Sequence, residues 1–237
     1  MSIQESVSAA IAAAACDEKD YAASYISEVK KFCREASLVF EIGAYTGLDI
    51  PAIHRLWPDA EIHCFEPMPE AFSSLARFSS EHIVCNRVAL TNVKGPVTFY
   101  QVNDSAVTDQ SRRSVWFKTA GSLLRAGAQI CSAGPTLVEV AIPASGTTLD
   151  EYCHPMGLKP DILLIDTQGS EYQIFEGGTE TLKTVKAILC EWSKLELYKG
   201  QKMLEDIERL LGAAGFSKKF EVNQWSNFHG DAIFAKV

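Results

Sequence analysis

Acids recur at the ends of apolar runs in this chain. Leu38-Val39-Phe40 leads into Glu41, Glu61-Ile62-His63-Cys64-Phe65 into Glu66 and Pro67, Asp161-Ile162-Leu163-Leu164-Ile165 into Asp166, and Lys186-Ala187-Ile188-Leu189-Cys190 into Glu191. An almost unbroken apolar run is the mark of a strand buried on both faces, and the tip of such a strand lies where a parallel sheet opens its ligand crevice. A carboxylate there can accept hydrogen bonds from hydroxyls, hold an ammonium group or take a proton. Just past Glu41, Gly43-Ala44-Tyr45-Thr46-Gly47 forms a small-residue turn that lets backbone approach a ligand. Strand, glycine turn, helix and a second strand ending in Glu66, about twenty residues on, suit an adenosine-containing cofactor whose ribose hydroxyls donate to that acid.

The glycine spacing separates two cofactor classes. A nicotinamide dinucleotide calls for G-x-G-x-x-G, to cradle a pyrophosphate. The pattern here is acid-x-G-x-x-x-G, from Glu41 through Gly43 to Gly47, which suits S-adenosylmethionine. A dinucleotide-dependent oxidoreductase and a non-catalytic cofactor-binding module are the rival readings. In the preferred one Asp166 holds the cofactor's amino group or serves as base, unless it merely caps the helix that begins near Ser170. Glu191, one strand over, could serve as base or share a divalent cation with Asp166; no third ligand stands at a telling spacing, so a metal is not favoured. His229, in the link before the final strand, is the histidine best placed in sequence for proton transfer, although a surface loop residue is its default reading. Glu171 suits the first turn of a helix on dipole grounds alone. Arg112, Arg113 and Arg125 could meet an anionic acceptor, and Trp192, Tyr198 and Trp225 could wall a pocket.

These residues need a scaffold, and apolar periodicity supplies one. Residues 5–36 read as one or two alanine-rich helices. From Leu38 strands and helices alternate: strands over 38–43, 61–66, 82–89, 97–102, 137–141, 160–166 and 186–191, with helices over about 47–57, 69–80, 170–182 and 203–214. Phe220-Glu221-Val222 and the run from Ala232 to Val237 end the chain as strands joined without a helix, hence antiparallel. Residues 103–135 keep no period and read as a loop for acceptor recognition. The alternation predicts a largely parallel α/β sheet covered on both faces.

Bulk properties narrow the function classes. The chain has 237 residues, 47% of them hydrophobic, and a net charge of −8 with no basic stripe, which argues against nucleic acid as a partner. No run approaches the roughly 20 apolar residues of a membrane span, and the N-terminal alanines lack a basic flank, so no signal peptide is read. The seven cysteines form no C-x-x-C pair and read as buried thiols, consistent with a cytoplasmic protein. Association into a homo-oligomer stays open.

One stretch carries a family resemblance. Asp161-Ile162-Leu163-Leu164-Ile165-Asp166-Thr167-Gln168-Gly169-Ser170-Glu171, continuing to Gly177-Gly178, resembles the signature of FkbM-type methyltransferases, in which a strand ends in Asp and is followed by Glu or Gln, Gly, and a Glu opening a helix. Glu41-Ile42-Gly43-Ala44, Phe65-Glu66-Pro67, Val88-Ala89-Leu90, Thr147 to Glu151 and Ala214-Gly215-Phe216 agree in order. The resemblance spans roughly residues 38 to 237. It implies a Rossmann-like class I methyltransferase fold with seven strands, the last antiparallel, and it implies S-adenosylmethionine as cofactor and O-methylation of a small-molecule acceptor. It places Glu41, Gly43, Ala44, Tyr45, Gly47, Glu66, Pro67, Val88, Ala89 and Asp166 at the cofactor. Tyr45 stands where the family usually has Asn. Residues 1–37 match nothing in the pattern and read as a helical extension to a methyltransferase domain over 38–237.

Overall fold

The computed structural model describes residues 22–103, 121–127, 138–226 and 229–236. Its main sheet has seven strands: β1 (Leu38–Ile42), β2 (Glu61–Phe65), β3 (Ile83–Asn86), β7 (Ile162–Ile165), β8 (Ala187–Ser193), β9 (Phe216–Ser226) and β10 (His229–Lys236), in the order β3-β2-β1-β7-β8-β10-β9. The first five neighbours pair in parallel, while β10 runs antiparallel to both β8 and β9. This is the class I methyltransferase arrangement. Order reverses beside β1, so the crevice lies above the tips of β1 and β7.

Alternation along the strands sends side chains to two cores. Phe40, Ile42, Leu163, Ile165, Ile188, Cys190 and Phe234 pack on one face with α6 (Leu204–Ala213), through Leu204, Ile207 and Leu211. Val39, Ile62, Ile162, Leu164, Leu189 and Ile233 pack on the other with α1 (Ala22–Val29) and α2 (Ile50–Leu56), through Ile26, Val29, Ile50 and Ile53. Glu41, Asp166, Glu191 and Asp231 continue this second face towards the strand tips.

Several expected elements differ in extent. The strand expected over 82–89 is two: β3 stops at Asn86, and Ala89–Leu90 forms β4 at one edge of a separate three-stranded sheet. Ala89 and Leu90 pair with Gly146 and Thr147, which commits their backbone to that second sheet. There β5 (Gly95–Asn103) and β6 (Val138–Thr147) form an antiparallel pair along their whole length, so β6 continues past Ala141. The helix after it, α4 (Leu149–Cys153), starts where Thr148 Oγ1 accepts the Glu151 N–H at 3.0 Å. The helices expected over 69–80 and 170–182 are short, α3 (Pro69–Leu75) and α5 (Glu171–Glu176), and Gly177-Gly178 ends the latter before a 3₁₀ turn at Thr181–Lys183. His229 lies in no link: it opens β10 opposite Ser193 and is buried. Cys33, Cys64, Cys153 and Cys190 are buried free thiols and Cys85 is half-buried.

Candidate active site

A cavity of about 250 Å³ opens above the tips of β1, β2 and β7. Its lining includes Glu41, Gly43, Ala44, Tyr45, Glu66, Pro67, Val88, Ala89 and Asp166 from the sequence expectation, joined by Tyr25 of α1, Asp49, Gln168 and Asp231. Gly47, Glu191 and His229 lie outside the lining.

The glycine turn is built by close packing. At Gly43 φ is +85°, and its N–H and that of Ala44 both donate to Phe65 carbonyl oxygen at 3.0 Å, tying the turn to the β2 tip. Gly47, also at +85°, backs onto the Phe78 ring, which a Cβ would approach to 2.9 Å. It packs beneath the turn. Between them Tyr45 takes φ +47°, a left-handed conformation in which Asn is at ease and Tyr is strained. Its ring packs with the cluster of Met68, Ala71 and Phe99. Among the described residues the other non-glycine in that region is Gln168, at φ +55°, and both line the cavity. Strain of this kind persists where surrounding structure enforces it and concentrates at functional sites.

Glu66 is held from two sides. Its Oε2 accepts the Tyr45 N–H at 3.0 Å and its Oε1 the Met68 N–H at 2.7 Å. Burial pushes its carboxyl up to about 7, against the pull of those two backbone donors. Each oxygen retains a second lone pair for a ligand hydroxyl. Glu41 is buried behind the turn, where its Oε2 accepts the Cys64 thiol at 3.3 Å; burial, reinforced by the charge of Asp49, holds its carboxyl well above the usual range.

At the β7 tip Gln168 joins two carboxylates. Its amide nitrogen donates to Asp166 Oδ1 at 2.7 Å and lies 3.3 Å from Glu191 Oε2, while its amide oxygen accepts the Tyr198 hydroxyl at 2.7 Å. The amide therefore occupies the space between the acids that a shared cation would take. Surrounding protein raises the Asp166 carboxyl and the Gln168 bond lowers it. Asp166 is nevertheless exposed at the cavity, and that exposure tempers the rise. Glu171 fixes the turn below: one of its oxygens accepts the Thr167 N–H, the Thr167 hydroxyl and the Gly169 N–H at 3.0–3.1 Å.

Glu191 and His229 face each other behind this layer, with Nε2 and Oε1 3.0 Å apart. Burial lowers the imidazole's pKa, and burial with the neighbouring carboxylates Asp166, Glu171 and Asp231 holds Glu191 well above the carboxylate range. Both shifts favour the uncharged form of each partner. Of the other suggested contacts, Arg125 is exposed and stacks its guanidinium on Tyr100, 5.1 Å from the ring centre, and Trp192 is buried in the core. Arg112 and Arg113 lie outside the described residues, as does the side chain of Trp225.

Asp231 was missed from the sequence. It sits opposite Glu191 on β10, and the β7–β8 register carries Asp166 into the same row, so three acids lie side by side on adjacent strands. Burial pushes the Asp231 carboxyl up to about 8, helped by the charges of Asp166, Asp49 and Glu171. The available signal was topological: an antiparallel strand begins where its parallel neighbours end, which brings the first residues of β10 to the crevice.

Several known proteins are similar to this chain. The 2-O-methyltransferase NoeI of Sinorhizobium fredii (strain NBRC 101917 / NGR234) is 29% identical over 177 residues, which cover 73% of this chain and 70% of the relative. Among solved structures, methyltransferase FkbM from Methylobacillus flagellatus KT aligns at TM-score 0.49 and 8% identity over 84% of this chain and 43% of its own. This chain thus spans less than half the length of that protein. Magnesium protoporphyrin IX methyltransferase (ChlM) from Synechocystis PCC 6803, solved with bound SAM, aligns at TM-score 0.48 and 10% identity over 97% of this chain and 90% of its own. Residues 41–218 match the methyltransferase FkbM domain. That match runs from the first strand-tip acid into β9, takes in most of the chain, and makes this protein a methyltransferase of the FkbM family.

Proposed function

We propose that the protein transfers a methyl group from S-adenosylmethionine to a hydroxyl of a small metabolite, sugar or polyketide-like acceptor. The observation that carries this reading is the set of acidic side chains that line the cavity. Glu41, Asp49, Glu66, Asp166 and Asp231 line it, and no Lys or Arg does so among the described residues. Such a site attracts a sulfonium and an ammonium group and repels the pyrophosphate of a dinucleotide. A hydroxyl acceptor is favoured by the likeness to a 2-O-methyltransferase.

The cofactor supplies the electrophilic methyl group on its sulfonium. Glu66 receives the ribose hydroxyls on its free lone pairs, and the Gly43–Tyr45 turn brings backbone against the ligand. Val88 and Ala89 line the same cavity and offer apolar surface. Asp166, turned by Gln168 and open to the cavity, takes the proton from the acceptor hydroxyl. Alignment of nucleophile and methyl in such a site is worth on the order of 7–11 kcal/mol of barrier. Glu191 and His229, paired behind the lining, support Asp166 and Gln168 from below.

Calorimetric titration tests the cofactor: S-adenosylhomocysteine should bind and NAD should not. Transfer of labelled methyl to hydroxyl-bearing acceptors then tests the chemistry. Binding of NAD in preference, or binding of S-adenosylhomocysteine with no methyl consumed across an acceptor panel, would reject the corresponding half of the reading.

A further inference from the structure

Asp231 stands apart from the other acids of the cavity. Its side chain is buried, with 8% of the residue exposed, and it belongs to the lining. Yet Oδ2 has no hydrogen-bond partner among the described residues. Each of the other strand-tip acids has one: Glu41 accepts Cys64, Glu66 accepts two backbone donors, Asp166 accepts Gln168 and Glu191 meets His229. A buried carboxylate oxygen left without a donor costs free energy, and proteins keep such groups where a ligand completes them.

The surroundings say what kind of donor is missing. Asp231 interacts electrostatically with Asp166 and Asp49, and Tyr25 of α1 feels all three. Asp231 and Asp166 lie on either side of β8, whose Glu191 between them is outside the lining, so Asp231 presents its oxygen to the cavity without a neighbouring donor. Among the described residues no three acids, histidines or cysteines converge as metal ligands. A primary ammonium group, with three N–H donors in a tetrahedral array, meets the requirement with less demanding geometry.

Resting on the S-adenosylmethionine reading above, we propose that the last strand supplies a cofactor ligand: Asp231, with Asp49 beside it in the lining, accepts hydrogen bonds of the α-ammonium group of the bound adenosyl cofactor. Asp231 Oδ2 then gains its missing partner. The sheet thus grips the two ends of the cofactor from opposite sides of β1: Glu66, just past β2, takes the ribose, and Asp231 on β10 takes the amino end.

The test is a binding cycle between one side chain and one ligand group. Three probes are titrated into the wild-type protein and into Asp231→Asn: S-adenosylhomocysteine, its analogue with hydrogen in place of the amino group, and 5′-methylthioadenosine, which lacks the amino-acid end. A charge-assisted contact predicts that Asp231→Asn weakens S-adenosylhomocysteine by about tenfold or more. The desamino analogue should bind the wild type with a similar loss and lose nothing further in the variant, and 5′-methylthioadenosine should bind both proteins equally. Unchanged affinity for S-adenosylhomocysteine, or an equal loss for all three probes, would overturn the assignment. Should the variant not fold, a desamino analogue that binds the wild type as tightly as S-adenosylhomocysteine would overturn it alone. Wild-type protein that binds none of the probes would remove the cofactor reading as well, whereas a null cycle with intact wild-type binding removes Asp231 only.

Discussion

Gly43 and Asp166 meet backbone to backbone: a Cβ placed on Gly43 would stand 1.8 Å from the Asp166 carbonyl oxygen. The contact brings the tip of β1 against the tip of β7 and fixes the floor between the first turn and the Asp166–Gln168 turn. Gly43→Ala must part the two strands at their tips while adopting φ +85° with a side chain. Overpacking and backbone strain together should cost on the order of 3 kcal/mol. Urea denaturation followed by circular dichroism measures this, and an unchanged midpoint would contradict the packing.

Glu66 should govern cofactor affinity. Glu66→Ala removes the acceptor for the ribose hydroxyls and should weaken S-adenosylhomocysteine by at least about tenfold with the fold preserved. Because the carboxyl is raised to about 7, affinity of the wild type should also fall as pH drops below that value, since the protonated acid loses acceptor capacity. Calorimetry across pH on wild type and Glu66→Gln checks both; a variant that keeps wild-type affinity would remove the ribose assignment.

Stability of the ligand-free protein should decline as pH rises. Asp49 is pushed up to about 6, Glu66 and Glu171 to about 7 and Asp231 to about 8, all above their ordinary values because they are buried. The folded state therefore holds protons that the unfolded chain has already released, and that stabilisation is lost as pH climbs through the folded-state values. Unfolding midpoints at about pH 5.5 should exceed those at about pH 8.5, and the reverse order would mean that these groups are charged at little cost.

Gln168 should matter to both stability and turnover. Gln168→Ala strips Asp166 and Glu191 of their shared donor and leaves the Tyr198 hydroxyl without its acceptor. Losing these bonds inside the protein should cost about 2 kcal/mol. With Asp166 no longer turned towards the cavity, kcat should fall more than cofactor affinity. Steady-state kinetics beside calorimetry separates the two, and equal losses in both would point to cofactor binding as the residue's main task.

The sequence was most legible where one residue's neighbours in the chain are also its neighbours in space. Glu41 to Gly47 and Asp161 to Glu171 could be read because a strand, its tip and the following turn are contiguous, and the apolar run announces the strand. The helix start at Thr148 was visible for the same reason, since its capping bond spans three residues. Element ends were less legible. The split of 82–89 into β3 and β4 depends on Gly146 and Thr147, far along the chain, competing for the backbone of Ala89 and Leu90.

Local pattern thus determined the sheet, its parallel character and the acid-tipped crevice, because burial on both faces dictates which residue types a strand can carry. Only tertiary structure decided which acids share the cavity. Glu191 turned to His229, Gly47 to Phe78, and Asp231 came to the lining from a strand that runs the other way. Such partners are set by register between strands distant in sequence, and no spacing along one chain encodes that register by itself.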